Sequence, residues 1–170
     1  MRIFAAIRPS DAFRGALSVL QNSLRAAGVT GRYLDPSNLH MTLAFIGNWP
    51  ENIAGLLPEV TEPFAVTLSR PGIFPAAKVP WAGVEPCPAL EQLAAEVQGI
   101  LKASGIPFDP KPFNPHITLV RKPGLPAGLD LSEIPVPSAS MEVEEVCLYR
   151  SDRRENGMVY TVIGSSGNRG

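Results

Sequence analysis

Histidine is scarce in this sequence. The chain has 170 residues and only two of them are His, at 40 and 116. Cysteine is as rare, at Cys87 and Cys147, and their spacing makes neither a CxxC redox pair nor a metal knuckle. A zinc site usually needs three or four ligands, so the expectation is no metal and no cofactor. Lone reduced cysteines fit a cytoplasmic protein. Charge of one sign is lacking too: 15 basic and 16 acidic residues leave a net charge of -1. That balance argues against a general electrostatic binder of nucleic acid. Any nucleic-acid ligand would be held locally, at an end or a single nucleotide. No apolar run approaches the ~18 residues of a membrane span, so no membrane partner is expected. The opening "MRIFAAIRPS" is too short in its apolar part for a signal peptide.

What is present is an ordinary globular balance, 45% hydrophobic and 18% charged. The length suffices for one sizeable domain, or for two small lobes sharing a core. The 18 prolines scatter through apparent loops and stiffen them. "RIFAAI" (2–7) reads as a buried strand. A helix follows, with Phe13, Leu17, Leu20 and Leu24 on one stripe, Ser10 or Asp11 as cap and Gly28 as stop. After a turn-rich stretch, "HMTLAFIG" reads as a strand ending at Gly47. The second half repeats this order. "VPWAGVE" (79–85) is a strand, and Leu90, Leu93, Val97 and Leu101 form a helical stripe that stops at Gly105. A Pro-rich turn then leads to "HITLVR".

The copies run over about 2–47 and 79–121, and their details agree. "AAGV" matches "ASGI". Asp35-Pro36 and Asn38 precede the first histidine strand as Asp109-Pro110 and Asn114 precede the second. Such self-similarity predicts two alike lobes related by a pseudo-two-fold axis, in an α+β fold with antiparallel sheets. Further strands are expected at 64–69, 141–150 and 158–164, a loop at 123–138, and a frayed tail "GSSGNRG".

Both histidines stand in one phrase, HxTL. In a strand residues i and i+2 share a face, so His40 pairs with Thr42 and His116 with Thr118, while Met41, Leu43, Ile117 and Leu119 point into the core. Facing lobes would bring two imidazoles and two hydroxyls across a cleft. With a reference pKa near 6.5, one imidazole can act as base while the other acts as acid. That suits a phosphoester displacement, with the hydroxyls donating to the non-bridging oxygens. Three plainer readings compete: a satisfied structural His, a duplication silent in chemistry, and a two-His metal site. The first gives an accidental second HxTL odds of roughly one in three hundred. The second does not explain why the polar side was kept, since a duplicated strand needs only its apolar side. The third lacks further His ligands.

The paired motif resembles the signature of the 2H phosphoesterases. "RIFAAI", "NLHMTLAFIG", "VPWAGVEP", "PFNPHITLVR" and "VCLYRSDRRENGMVYTVI" resemble, in order, the bacterial and archaeal RNA 2',3'-cyclic phosphodiesterases, also called 2'-5' RNA ligases. The resemblance implies one bilobal domain over 1–170 with the active site between lobes. It implies a metal-independent enzyme that opens an RNA 2',3'-cyclic phosphate to a 2'-phosphate; a monomer is expected. The reverse reaction would make a 2'-5' linkage. It implies His40 as general acid, His116 as the base that activates water, and Thr42 and Thr118 as phosphate ligands. Arg121 matches a basic residue that helps hold phosphate, and Phe45 an aromatic near the nucleobase. Simple alternation instead puts Arg121 on the face away from His116 and Phe45 in the core. Of Arg150, Arg153 and Arg154, one could line the cleft. Two alternatives stay open: a phosphodiesterase for a small cyclic nucleotide or an ADP-ribose cyclic phosphate, and a silent module that binds RNA ends.

Overall fold

The computed structural model describes residues 1–76 and 78–168. Among them run β1 (Arg2–Ile7), α1 (Asp11–Ala26), β2 (Thr30–Tyr33), β3 (Met41–Asn48), β4 (Phe64–Ile73), β5 (Pro80–Val84), α2 (Pro88–Ala103), β6 (Ile117–Thr118), β7 (Val120–Gly124), β8 (Ser140–Val143), β9 (Cys147–Arg154) and β10 (Gly157–Ser165). The fold is α+β, and the strand pairings are antiparallel. One four-stranded sheet has the order β10-β9-β1-β3, a second has the order β8-β4-β5-β6, and β2 and β7 form a two-stranded sheet. Read from the histidine strand outward, β3-β1-β9-β10 and β6-β5-β4-β8 have one plan. The first two strands of each sheet come from the repeat, and the outer two are supplied by unrelated parts of the chain.

The two helices form where the apolar stripes predict. The Ser10 hydroxyl accepts a hydrogen bond from the Phe13 amide at 3.2 Å and caps α1. Pro88 opens α2, where its missing N–H is not needed. Gly28 (φ +93°) and Gly105 (φ +70°) take the left-handed turns that leave each helix. Phe13, Leu17, Leu20 and Leu24 of α1, and Leu90, Leu93, Val97 and Leu101 of α2, enter one apolar cluster with residues of both sheets. β1 is apolar on both faces because both are covered. Ile3, Ala5 and Ile7 face this core, while Phe4 and Ala6 join Cys147 and Tyr149 in a second, aromatic cluster. The two cysteines are free, and burial pushes the Cys147 thiol up to about 11.

Four expected elements differ. The turn-rich stretch after α1 contains β2, a short exposed strand whose partner, β7, lies far along the chain. No local signal could announce it. The strand expected over "HITLVR" is two strands: β6 pairs with β5, and β7 pairs with β2. The stretch 141–150 also divides, because the chain passes there from one sheet into the other; β8 pairs with β4 and β9 with β1. The tail expected to fray is held as far as it is described. Ser165 completes β10, and the Ser166 hydroxyl accepts from the Val146 amide at 2.9 Å while its own amide donates to Val146 O at 2.9 Å. Residues 169 and 170 of that tail lie outside the described residues.

Candidate active site

Each histidine precedes its strand, and its ring is fixed by the backbone two residues earlier. His40 Nδ1 lies 2.7 Å from Asn38 O, and His116 Nδ1 lies 2.6 Å from Asn114 O. A carbonyl oxygen can only accept, so Nδ1 carries the hydrogen in both rings. This leaves Nε2 of each imidazole as the nitrogen able to take or give a proton. Asn38 is held in turn by β10: its side-chain amide donates to Met158 O at 2.8 Å, and its Oδ1 accepts from the Tyr160 amide at 3.2 Å.

The structure brings the four motif side chains together. His40, Thr42, His116 and Thr118 line one cavity of about 300 Å³, with Phe74 and Arg121. Aromatic rings wall both imidazoles. Phe4 lies 4.7 Å from His40 and stacks on Tyr149 behind it, while Tyr160 meets His40 edge-on at 5.0 Å. Phe74 meets His116 edge-on at 4.7 Å, and Trp81 stands 6.4 Å away. These apolar walls withdraw water and disfavour the imidazolium. Burial pushes His40 down to about 4, assisted by the positive charge of Arg121 and the coupling to His116, and opposed by the Asn38 carbonyl. His116 is lowered by burial and by Arg121, against the Asn114 carbonyl. In the free protein both rings are therefore neutral at pH 7, each with a free Nε2 lone pair.

Phe45 and Arg121 both lie on the cleft face, and alternation mispredicts both. In β3, Thr42 stands opposite Ala6 and Ala44 opposite Ala5, so Leu43 is an extra residue without a partner in β1. This bulge makes Leu43 and Ala44, two successive residues, face the core. Parity is thereby shifted by one, and Phe45 emerges opposite Phe4 on the side of His40 and Thr42. The second copy behaves alike. Leu119 and Val120 are both fully buried where β6 gives way to β7, and Arg121 emerges beside His116 and Thr118. Phe45 is only partly buried: it packs against the Phe4 cluster, and its ring carries the Arg2 guanidinium at 4.8 Å from its centre.

Among the three arginines of "YRSDRR", Arg153 reaches the cavity that holds His40 and Thr42. Arg150 is turned aside, donating from Nε to Asp152 at 2.8 Å. Arg154 lies within 4.0 Å of the same carboxylate and lines a neighbouring cavity of about 740 Å³ with Arg32, Arg121, Lys122 and Arg153. A net charge near zero thus conceals a local basic arm. It is assembled from β2, β7 and the β9–β10 hairpin, elements too distant in sequence for composition to show it. Phe4, Phe74 and Tyr160 also escaped the sequence reading, because an isolated aromatic looks like core. Among the described residues no three His, Cys, Asp or Glu side chains are grouped so as to hold a metal ion. Among the described residues no helix is long and apolar enough to cross a membrane.

Comparison with known proteins fits this geometry. Residues 9–155 match the family model described as the 2'-5' RNA ligase superfamily. The RNA 2',3'-cyclic phosphodiesterase of Thermus thermophilus is 32% identical, covering 100% of this chain and 91% of the relative. That of Methanothermobacter thermautotrophicus is 30% identical, covering 95% of each. Among solved structures, a protein of Thermus thermophilus superposes with a TM-score of 0.78 at 31% identity, covering 97% of this chain and 96% of that one. Escherichia coli LigT, solved also in complex with 3'-AMP, gives 0.77 in its apo form at 28% identity, covering 96% and 95%. With the family model spanning most of the chain, this protein belongs to the 2'-5' RNA ligase superfamily.

Proposed function

We propose that the protein is an RNA 2',3'-cyclic phosphodiesterase that opens the cyclic phosphate to a 2'-phosphate by a two-histidine acid–base pair. The observation that carries this reading is the shared cavity of His40, Thr42, His116 and Thr118, with each Nδ1 fixed by a carbonyl and each Nε2 free. A water proton passes to His116 Nε2 as the water oxygen bonds to phosphorus. The P–O3' bond breaks, and O3' takes the proton of His40 Nε2. The products are a 2'-phosphate and a free 3'-hydroxyl, and the two rings have exchanged charge states. The pseudo-symmetric rings could serve in either role; His40 as acid and His116 as base follow from the family resemblance. Thr42 and Thr118 donate to the non-bridging oxygens, and Arg121 offsets the charge that builds there. Read backward, with an RNA 5'-hydroxyl in place of water, the same steps form a 2'-5' linkage.

The low affinity of His40 for a proton in the free protein fits this scheme. Its depression comes first from burial and then from neighbouring positive charge. An anionic phosphate entering between the rings opposes the electrostatic part and raises the affinity of the acid for a proton. The acid is thus armed by its substrate. The basic arm of Arg32, Lys122, Arg153 and Arg154 favours an RNA end over a small cyclic nucleotide, since it continues beyond the reactive pocket where further phosphates would lie. We read residues 1–170 as one bilobal unit acting without a partner subunit.

Hydrolysis of an oligonucleotide ending in a 2',3'-cyclic phosphate, with chelator present, tests this reading. Wild type should release 2'-phosphate ends, and His40→Ala and His116→Ala should each lose about 10²–10⁴-fold in kcat. Turnover that survives both substitutions, or that chelator abolishes, would reject the two-histidine mechanism. Binding without turnover by the intact protein would instead support a silent module.

A further inference from the structure

The repeat places a glutamine on each helix in the same relation to the opposite motif. Gln21 of α1 is 3% exposed although its neighbours on that face are Leu17, Leu20 and Leu24. Its Nε2 donates to Leu119 O at 3.0 Å, and to Leu34 O at 3.0 Å. Gln98 of α2 stands beside Val97 as Gln21 stands beside Leu20, and its Nε2 donates to Leu43 O at 3.2 Å. The bonds cross: the helix of the first copy holds the HxTL leucine of the second copy, and the reverse.

Leu43 and Leu119 each sit at a departure from regular pairing just before Phe45 and Arg121. Leu43 is the bulge in β3, and Leu119 is the step between β6 and β7. A bulge disrupts the local ladder, and Gln98 supplies a donor to Leu43 O there, while Leu119 O accepts from the Leu34 amide at 3.1 Å and takes Gln21 as a second donor. The second residue after each leucine is Phe45 or Arg121, and these irregularities turn both into the cleft. We infer that Gln21 and Gln98 are positioning residues, which hold the two bulges from the opposite repeat and so aim Arg121 and Phe45 at the substrate. Neither glutamine lines the cavity that holds both histidines; Gln98 borders the adjoining cavity of about 450 Å³ with Thr42, Phe45 and His116, and Gln21 lies behind the strands. This inference rests on the reading of the cleft as a phosphate site.

Gln21→Met keeps the length and apolar packing of the side chain but removes its amide. The test is a double-mutant cycle with Arg121→Ala, read as the dissociation constant of a nucleoside 2'-monophosphate by calorimetry, with kcat and KM on the cyclic-phosphate oligonucleotide alongside. We expect Gln21→Met to weaken binding about tenfold in wild type and to have little further effect once Arg121 is Ala. The pH midpoints set by the histidines should stay in place. Gln98→Met should show the same coupling to Phe45→Ala and additivity with Arg121→Ala. Equal losses with and without Arg121, or no loss at all, would overturn the inference. So would absence of nucleotide binding by wild type. Binding without turnover would fail the proposed reaction and leave the coupling measurable. If Gln21→Met does not fold, the Gln98 cycle decides the matter from a position that is only partly buried.

Discussion

Phe45 and Arg121 occupy one position of a repeated strand, each three residues beyond its motif threonine, and the same local irregularity turns both into the cleft. The two copies have kept the geometry and diverged in chemistry. One offers a flat apolar ring, the other a guanidinium. A cyclic nucleotide end has both a base and a phosphate to satisfy, so equivalent positions with unlike side chains suit an asymmetric ligand in a pseudo-symmetric cleft.

This division predicts different kinetic signatures. Arg121→Ala should lower kcat/KM by about 10²–10³, because it removes a charge aimed at oxygens that gain charge during displacement. Arg121→Lys should recover only part of the loss, since an ammonium cannot present the planar fork. Phe45→Ala should raise KM several-fold with little change in kcat, in keeping with about 1–3 kcal/mol for a base stacked on an aromatic side chain. Steady-state kinetics on oligonucleotides differing in the terminal base would separate the two.

Proton linkage follows from the lowered histidines. At pH 6 the free protein holds His40 neutral, with its value near 4. A bound phosphate should raise that value, so binding should take up protons at pH 6 and fewer as the pH rises toward 8. Calorimetry of a 2'-nucleotide in buffers of different ionisation heat would count them. Stability has the related sign. The unfolded rings titrate near 6.5 and bind more protons than the folded ones below that pH. Unfolding should therefore become easier as pH falls from about 7 toward 4, and His40→Asn should flatten part of that slope. A melting temperature indifferent to pH over this range would contradict the buried, neutral imidazoles.

The sequence made the two His–Thr pairs legible because alternation is reliable over two residues. His40 with Thr42, and His116 with Thr118, needed only that much regularity. It failed three residues later, where one additional buried residue reverses the face of Phe45 and of Arg121. The helices were legible because their stripes are long and their stops are glycines in left-handed turns. β2 was not, because its stabilisation comes from β7, about ninety residues away. The paired glutamines left a signal that could have been read: a polar residue on the apolar stripe of both helices, at matching places in the repeat.

The basic arm predicts that substrate length matters. Arg32→Glu and Arg154→Glu together should raise KM for a cyclic-phosphate oligonucleotide by about tenfold or more. They should affect a mononucleoside 2',3'-cyclic phosphate far less. Added salt should weaken oligonucleotide binding with a slope of about 0.7 per phosphate engaged, and the double substitution should reduce that slope. Equal effects on long and short substrates would place these arginines at the reactive phosphate instead of along a strand.

Trp81 connects the scaffold to the second histidine, and a glycine makes room for it. A Cβ built at Gly72 of β4 would collide with the six-membered part of the Trp81 indole on the neighbouring strand, where the two residues are register partners. Trp81 also pairs across β5 and β6 with Thr118, and its ring stands beside His116. The indole cannot move aside without disturbing either the sheet or the wall of the site. Gly72→Ala should therefore destabilise the fold by about 1–3 kcal/mol, the usual cost of overpacking. It should also lower kcat in the molecules that remain folded, whereas Gly55→Ala, where a Cβ meets nothing within 4 Å, should change neither. Urea unfolding and single-turnover hydrolysis on the same preparations would separate the two losses. A Gly72→Ala protein as stable and as active as wild type would show that Trp81 does not fix the second half of the cleft.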